Sequence, residues 1–111
     1  MDRFVQVVPR SGVRLYGAMV KKQRDLQHNA PSPAFYRQGT KLKDRAKWVH
    51  VKHKGWVNLE RTSAEIVSIQ VKSRSDKGDE WQLFHTFVGW LDRHFRGDIA
   101  AVNIQYRQDE E

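Results

Sequence analysis

The stretch Trp48-Val49-His50-Val51-Lys52-His53-Lys54-Gly55-Trp56-Val57-Asn58-Leu59 holds two alternating apolar and polar runs on either side of a glycine. That pattern predicts a β-hairpin. A two-residue Lys54-Gly55 turn would set Val51 opposite Asn58 and Val49 opposite Glu60, apolar against polar. A three-residue loop, His53-Lys54-Gly55, pairs Val51 with Val57 and Val49 with Leu59 and puts Gly55 at the left-handed position such loops need. The second register is therefore expected. It places Trp48, His50, Lys52, Trp56, Asn58 and Glu60 together on the other face.

Upstream, Phe4-Val5-Gln6-Val7-Val8, stopped by Pro9, predicts a strand over residues 3–8. Residues 13–22 fit either a strand or a helix. Gly12 and Gly17 cost a helix more than a bent strand, so a strand is expected. Asp25 to Pro33, with two prolines, reads as a surface loop, and Phe35-Tyr36-Arg37 as a short strand.

Downstream, Arg61 to Ala64 reads as a turn, and Glu65 to Lys72 alternates as a strand with Val67, Ile69 and Val71 inward. Ser73 to Gly78 is a polar connection, after which Asp79 and Gln82 are spaced as a capping box. Glu80 to Arg96 is an amphipathic helix. Its stripe contains Trp81, Phe84, Phe87, Val88, Leu91 and Phe95, and Gly97 ends it. Leu83 and Trp90 widen that stripe, which calls for either an additional covering segment or a homodimer contact through this helix. Ile99 to Arg107 predicts a last strand with Ala100, Val102, Ile104 and Tyr106 on one side.

These elements make an α+β fold: a mainly antiparallel sheet of about five or six strands packed on one long C-terminal helix, with a closing strand after it. The 111 residues, 39% hydrophobic and with 12 aromatics, are expected to form a single compact domain over 1–107 with a frayed acidic tail at 108–111. There is no cysteine, so disulfides and thiolate metal sites are excluded. No apolar run approaches the roughly 20 residues of a membrane span. A cytoplasmic protein without a membrane partner is the expectation.

The net charge of +7 is unevenly distributed: residues 1–61 carry +10 and residues 62–111 carry −3. Between Arg37 and Lys54 there are seven Lys or Arg against one Asp, interleaved with aromatics. Clustered cations release counterions from a phosphate backbone, and aromatic faces stack on bases. The expected interface comprises Lys41, Lys43, Lys47, Trp48, His50, Lys52, Lys54 and Trp56, with Tyr36 a further stacking candidate. Single-stranded RNA or DNA is favoured because the one clear helix carries little charge to offer a duplex groove. The competing view of the same residues is a solvated basic face above a core containing both tryptophans.

Other chemistries are weaker. His50 and His53 would point to opposite sides of a strand with no carboxylate near them, so no metal site and no cofactor is expected. The expected register puts Glu60 and His50 on one face, which is the single argument for a small ribonuclease. The remaining alternative is a homodimeric small-molecule-binding or protein-interaction domain joined through Leu83 and Trp90. Lys47-Trp48-Val49 with Gly55-Trp56-Val57-Asn58-Leu59 resembles the hairpin of bacterial SH3-like barrels over 13 residues. The long helix has no place in that fold, so the likeness implies shared hairpin chemistry only.

Overall fold

The computed structural model describes residues 2–40, 42–73 and 79–106. In chain order these form β1 (Asp2–Pro9), α1 (Leu15–Asn29), β2 (Phe35–Arg37), β3 (Arg45–His50), β4 (Trp56–Arg61), a 3-10 turn (Ser63–Glu65), β5 (Val67–Lys72), α2 (Asp79–Phe95) and β6 (Ile99–Gln105). The strands make one antiparallel sheet in the order β2-β3-β4-β5-β1-β6. The α+β class, the long helix near the C-terminus and the closing strand are those expected. The capping side chain expected at Asp79, the connection through Gly78 and the tail at 108–111 lie outside the described residues, as does Lys41.

Opposed residues of an antiparallel pair share a face, so the registers can be followed across the sheet in rows. One row runs Val5, Ile69, Leu59, Ala46, and a second runs Arg3, Val71, Val57, Trp48, Arg37. Their apolar members form a single core with Leu15, Tyr16, Met19 and Val20 of α1 and Leu83, Phe84, Phe87, Trp90, Leu91 and Phe95 of α2. The helices therefore cover one face. The other face carries the intervening residues.

Residues 13–22 do not form a strand. Leu15, Tyr16, Met19, Val20 and Gln23 are buried along one side of α1, at helical spacing. Gly12 lies before the helix, with φ +82°, so only Gly17 falls inside it. One interior glycine costs about 1 kcal/mol, which four buried apolar side chains outweigh. The helix also takes in Asp25 to Asn29, leaving the loop to begin near Pro31.

The hairpin register differs as well. Trp48 pairs with Val57 and Ala46 with Leu59, three residues away from the expected alignment of β3 on β4. An odd shift exchanges the faces of one strand against the other. Trp48 goes into the core, where its ring meets those of Phe35, Phe87 and Trp90 at centroid distances of 6.1, 6.2 and 5.2 Å. Burying a tryptophan removes far more apolar area from water than burying the valines that the other register would have covered. Val51 is left 58% exposed, with its N–H donating to the Ala34 carbonyl.

On α2 the buried side is centred on Leu83, Phe87 and Trp90, while Trp81 is 41% exposed with the Arg3 guanidinium 4.6 Å from its ring centroid. Trp90 packs on Phe35, Trp48 and Phe95, and Leu83 lies against Gly55. Both are covered within the chain by segments brought in by α1 and the hairpin. They do not form the exposed helix surface expected for a dimer contact.

Candidate nucleic-acid interface

The uncovered face is built from three rows. Gln105, Phe4, Gln70, Asn58 and Lys47 run across five strands; Asn103, Gln6, Ser68, Glu60 and Arg45 run beside them; Lys72 stands opposite Trp56. Tyr36, paired with Val49, shares this face. Among the described residues no helix crosses these rows: Arg45, Glu60, Asn103 and Gln105 are exposed, and the others are half-buried by their neighbours.

Trp56 is the centre of the basic part. The Lys47 Nζ lies 4.7 Å and the Lys72 Nζ 5.9 Å from its ring centroid, both within cation–π range. Beside it a groove of about 430 Å³ opens between the sheet and the segment that contributes Thr40 and Leu42. Phe4 and Leu42 line its apolar side, and Arg45, Lys47, Asn58 and Gln70 line its polar side. Asn58 donates to the Gln70 Oε1 at 3.4 Å, fixing that pair of amides in the floor.

The loop over the groove is tied down. The Arg61 Nε donates to the Asp44 Oδ1 at 3.0 Å, the Arg61 N–H to the Asp44 carbonyl, and the Tyr16 hydroxyl to the Leu42 carbonyl at 3.5 Å. The Asp44 carboxylate holds the Arg61 guanidinium above its ordinary pKa, chiefly through that hydrogen bond. Burial, with Asp44 adding to it, raises that of Tyr16.

The expected interface residues divide. Lys47 and Trp56 lie together on the open face, Lys43 is exposed on the loop over the groove, and Lys52 and Lys54 are exposed at the hairpin tip. Trp48 is fully buried on the opposite side, and among the described residues its Nε1 finds no acceptor. His50 is also on the helix side, edge-on to Phe35 at 5.0 Å. Phe4 and Lys72 were not singled out from the sequence. The signal was present: Phe4 alternates with Val5 and Val7 of β1, and Lys72 with Val67, Ile69 and Val71 of β5.

The histidine pair is not split across a strand as expected, because the chain bends after His50. The His50 and His53 rings stack at 4.8 Å. The His50 Nδ1 accepts from the N–H groups of Lys52 at 3.0 Å and His53 at 3.2 Å. Burial first, and then His53 and Lys52, lowers its pKa. Among the described residues no three His, Asp or Glu side chains converge to hold a metal ion. Glu60 faces Arg45 at 3.9 Å on the open side, with His50 on the other, so these two do not come together as an acid and a base.

No protein-family model matches this chain, and a search of curated proteins finds no match. Among the described residues no helix is long and apolar enough to cross a membrane.

Proposed function

We propose that the open sheet face binds single-stranded nucleic acid without catalysing a reaction. The observation that carries this reading is Trp56 on an uncovered face between two ammonium groups, next to a groove of about 430 Å³ lined by Phe4, Arg45, Lys47 and the Glu60 that faces Arg45. A lysine is a point charge on a flexible stem, so Lys47 and Lys72 can swing from the ring to phosphates while a base takes the ring. Asn58 and Gln70 offer amide groups to base edges in the groove. The rows of the sheet suit a strand with splayed bases, whereas α2 offers little charge to a duplex.

An enclosed aromatic ligand pocket is less well supported, since Trp48 is packed solid within the core and Trp56 faces an open surface. The test is fluorescence anisotropy of a labelled single-stranded oligonucleotide across a salt series. The expected result is an affinity that falls steeply with salt and a loss of about 1–3 kcal/mol in Trp56→Ala, roughly 5- to 150-fold. Absence of binding at about 50 mM salt, or affinity indifferent to salt, rejects the reading.

A further inference from the structure

Helix α1 carries the positive charge that α2 lacks. Arg14 at its N-cap and Gly17, Lys21, Arg24 and His28 along it recur at spacings of three and four residues, and all five are exposed. At 1.5 Å per residue they trace one stripe about 21 Å long, on the side of the helix opposite the buried Leu15, Met19 and Gln23. No carboxylate stands in the stripe itself. Asp25 lies beside Arg24, and among the described residues no ion pair ties Lys21, Lys22 or Arg24 to an acid.

The last turn of α2 extends the charge. Lys22, next to the stripe, lies close enough to act on His94, whose pKa is lowered by burial first and then by Lys22 and Arg93. Arg93 is exposed, and the acid of that turn, Asp92, is held by Arg96 at 3.0 Å. Cations from two helices thus gather without a carboxylate pairing with Lys22 or Arg93 among the described residues.

Gly17 has no steric reason to be glycine. A Cβ there would meet nothing within 4 Å, and glycine disfavours a helix. What the missing side chain provides is a place between Arg14 and Lys21 where a ligand can approach the helix backbone closely.

We infer that this stripe docks double-stranded nucleic acid through its phosphates. Charge complementarity selects a polyanion, and the rest of the helix selects its kind. α1 exposes no aromatic or large aliphatic side chain, so there is no ring to stack on an unpaired base and nothing to enter a bilayer. A rigid row of cations gains most from phosphates whose positions are already fixed. A duplex presents one charge per about 1.7 Å of axis, whereas a single strand must first be ordered onto the row. Contacts confined to phosphates carry no sequence information, so base order should not matter. The helices cover the sheet face opposite Trp56, so the stripe and the open face point away from each other. The inference stands whatever the open face binds.

Fluorescence anisotropy of a labelled blunt-ended duplex with the full chain, across a salt series, tests it. The wild type is expected to bind with an affinity that falls steeply with salt. Glutamine suits a helix, so Lys21→Gln/Arg24→Gln should keep the wild-type circular dichroism spectrum. It should lose about tenfold or more in duplex affinity and about 2 from the slope of log K against log salt. Lys52→Gln/Lys54→Gln removes the same charge from the hairpin tip and should leave duplex affinity within about threefold, as should Trp56→Ala. No duplex binding at about 50 mM salt overturns the inference. So does an affinity that the α1 variant leaves unchanged, or that both double variants lower equally, since net charge alone would then account for it. Loss of the duplex in Trp56→Ala would place it on the sheet and overturn the inference as well.

Discussion

Trp48 and Trp56 lie on adjacent strands, eight residues apart, and the sheet sends them to opposite worlds. Trp48 is fully buried among Phe35, Phe87 and Trp90, and Trp56 lies on the open side under Lys47 and Lys72. One side chain holds the helices to the sheet. The other lies on the open face, where the proposed stacking would use it. The difference comes from a single register, which shows how completely face assignment in a hairpin decides what its residues can do.

The contrast breaks most visibly on truncation. Trp48→Ala opens a cavity in the aromatic cluster and is expected to cost about 3–5 kcal/mol of folding stability. Trp56→Ala, on the open face, is expected to cost about 1 kcal/mol or less while removing the ring proposed to stack on a base. Urea unfolding of the two variants measures this directly. Equal losses would mean that both rings serve the core, and the face assignment would be wrong.

A smaller loss is expected at the residue that allows the chain to turn between the faces. Gly55 has φ +110°, and a Cβ there would collide with the Lys72 carbonyl of the neighbouring strand and press on Leu83 of α2. Gly55→Ala is therefore expected to cost about 2–3 kcal/mol by urea unfolding, combining backbone strain with a shift of β4 against β5. A loss below about 0.5 kcal/mol would show that the tip adapts freely and that Gly55 does not fix the register.

What the sequence disclosed follows the same division. Strand β5 is legible because it alternates strictly, β1 and β6 because each is an apolar run between turn signals, and α2 because it is long and amphipathic, although its buried side is centred on Leu83, Phe87 and Trp90 and leaves Trp81 exposed. α1 was misread because Gly17 was weighed as a local penalty, whereas the deciding contribution, burial of Leu15, Tyr16, Met19 and Val20, is tertiary. The hairpin was misread for a related reason. Matching valine to valine optimises two strands in isolation, but the register is set by the demand of α2 and β2 for Trp48. Two members of the candidate site go with it: Lys47 and Trp56 come together, Trp48 and His50 turn to the helix side, and Phe4 and Lys72 join from the outward positions of β1 and β5.

His50 connects the two faces and gives the smallest, pH-dependent effect. Its ring is on the helix side against Phe35, yet its Nδ1 holds the N–H groups of Lys52 and His53, shaping the loop that leads to Trp56. A proton on Nδ1 would remove that acceptor. Burial, His53 and Lys52 all lower the pKa of His50 in the folded state, so on acidification the unfolded chain takes up its proton first. Stability should be level above the unfolded value of about 6.5, fall as the pH drops below it, and level off again under the folded value. His94 contributes with the same sign, its pKa lowered by burial, Lys22 and Arg93. His50→Gln, which retains an acceptor but does not titrate, should therefore flatten part of the acid limb in thermal melts taken across this range. A limb as steep as that of the wild type would assign the whole effect to other groups and leave the loop independent of His50.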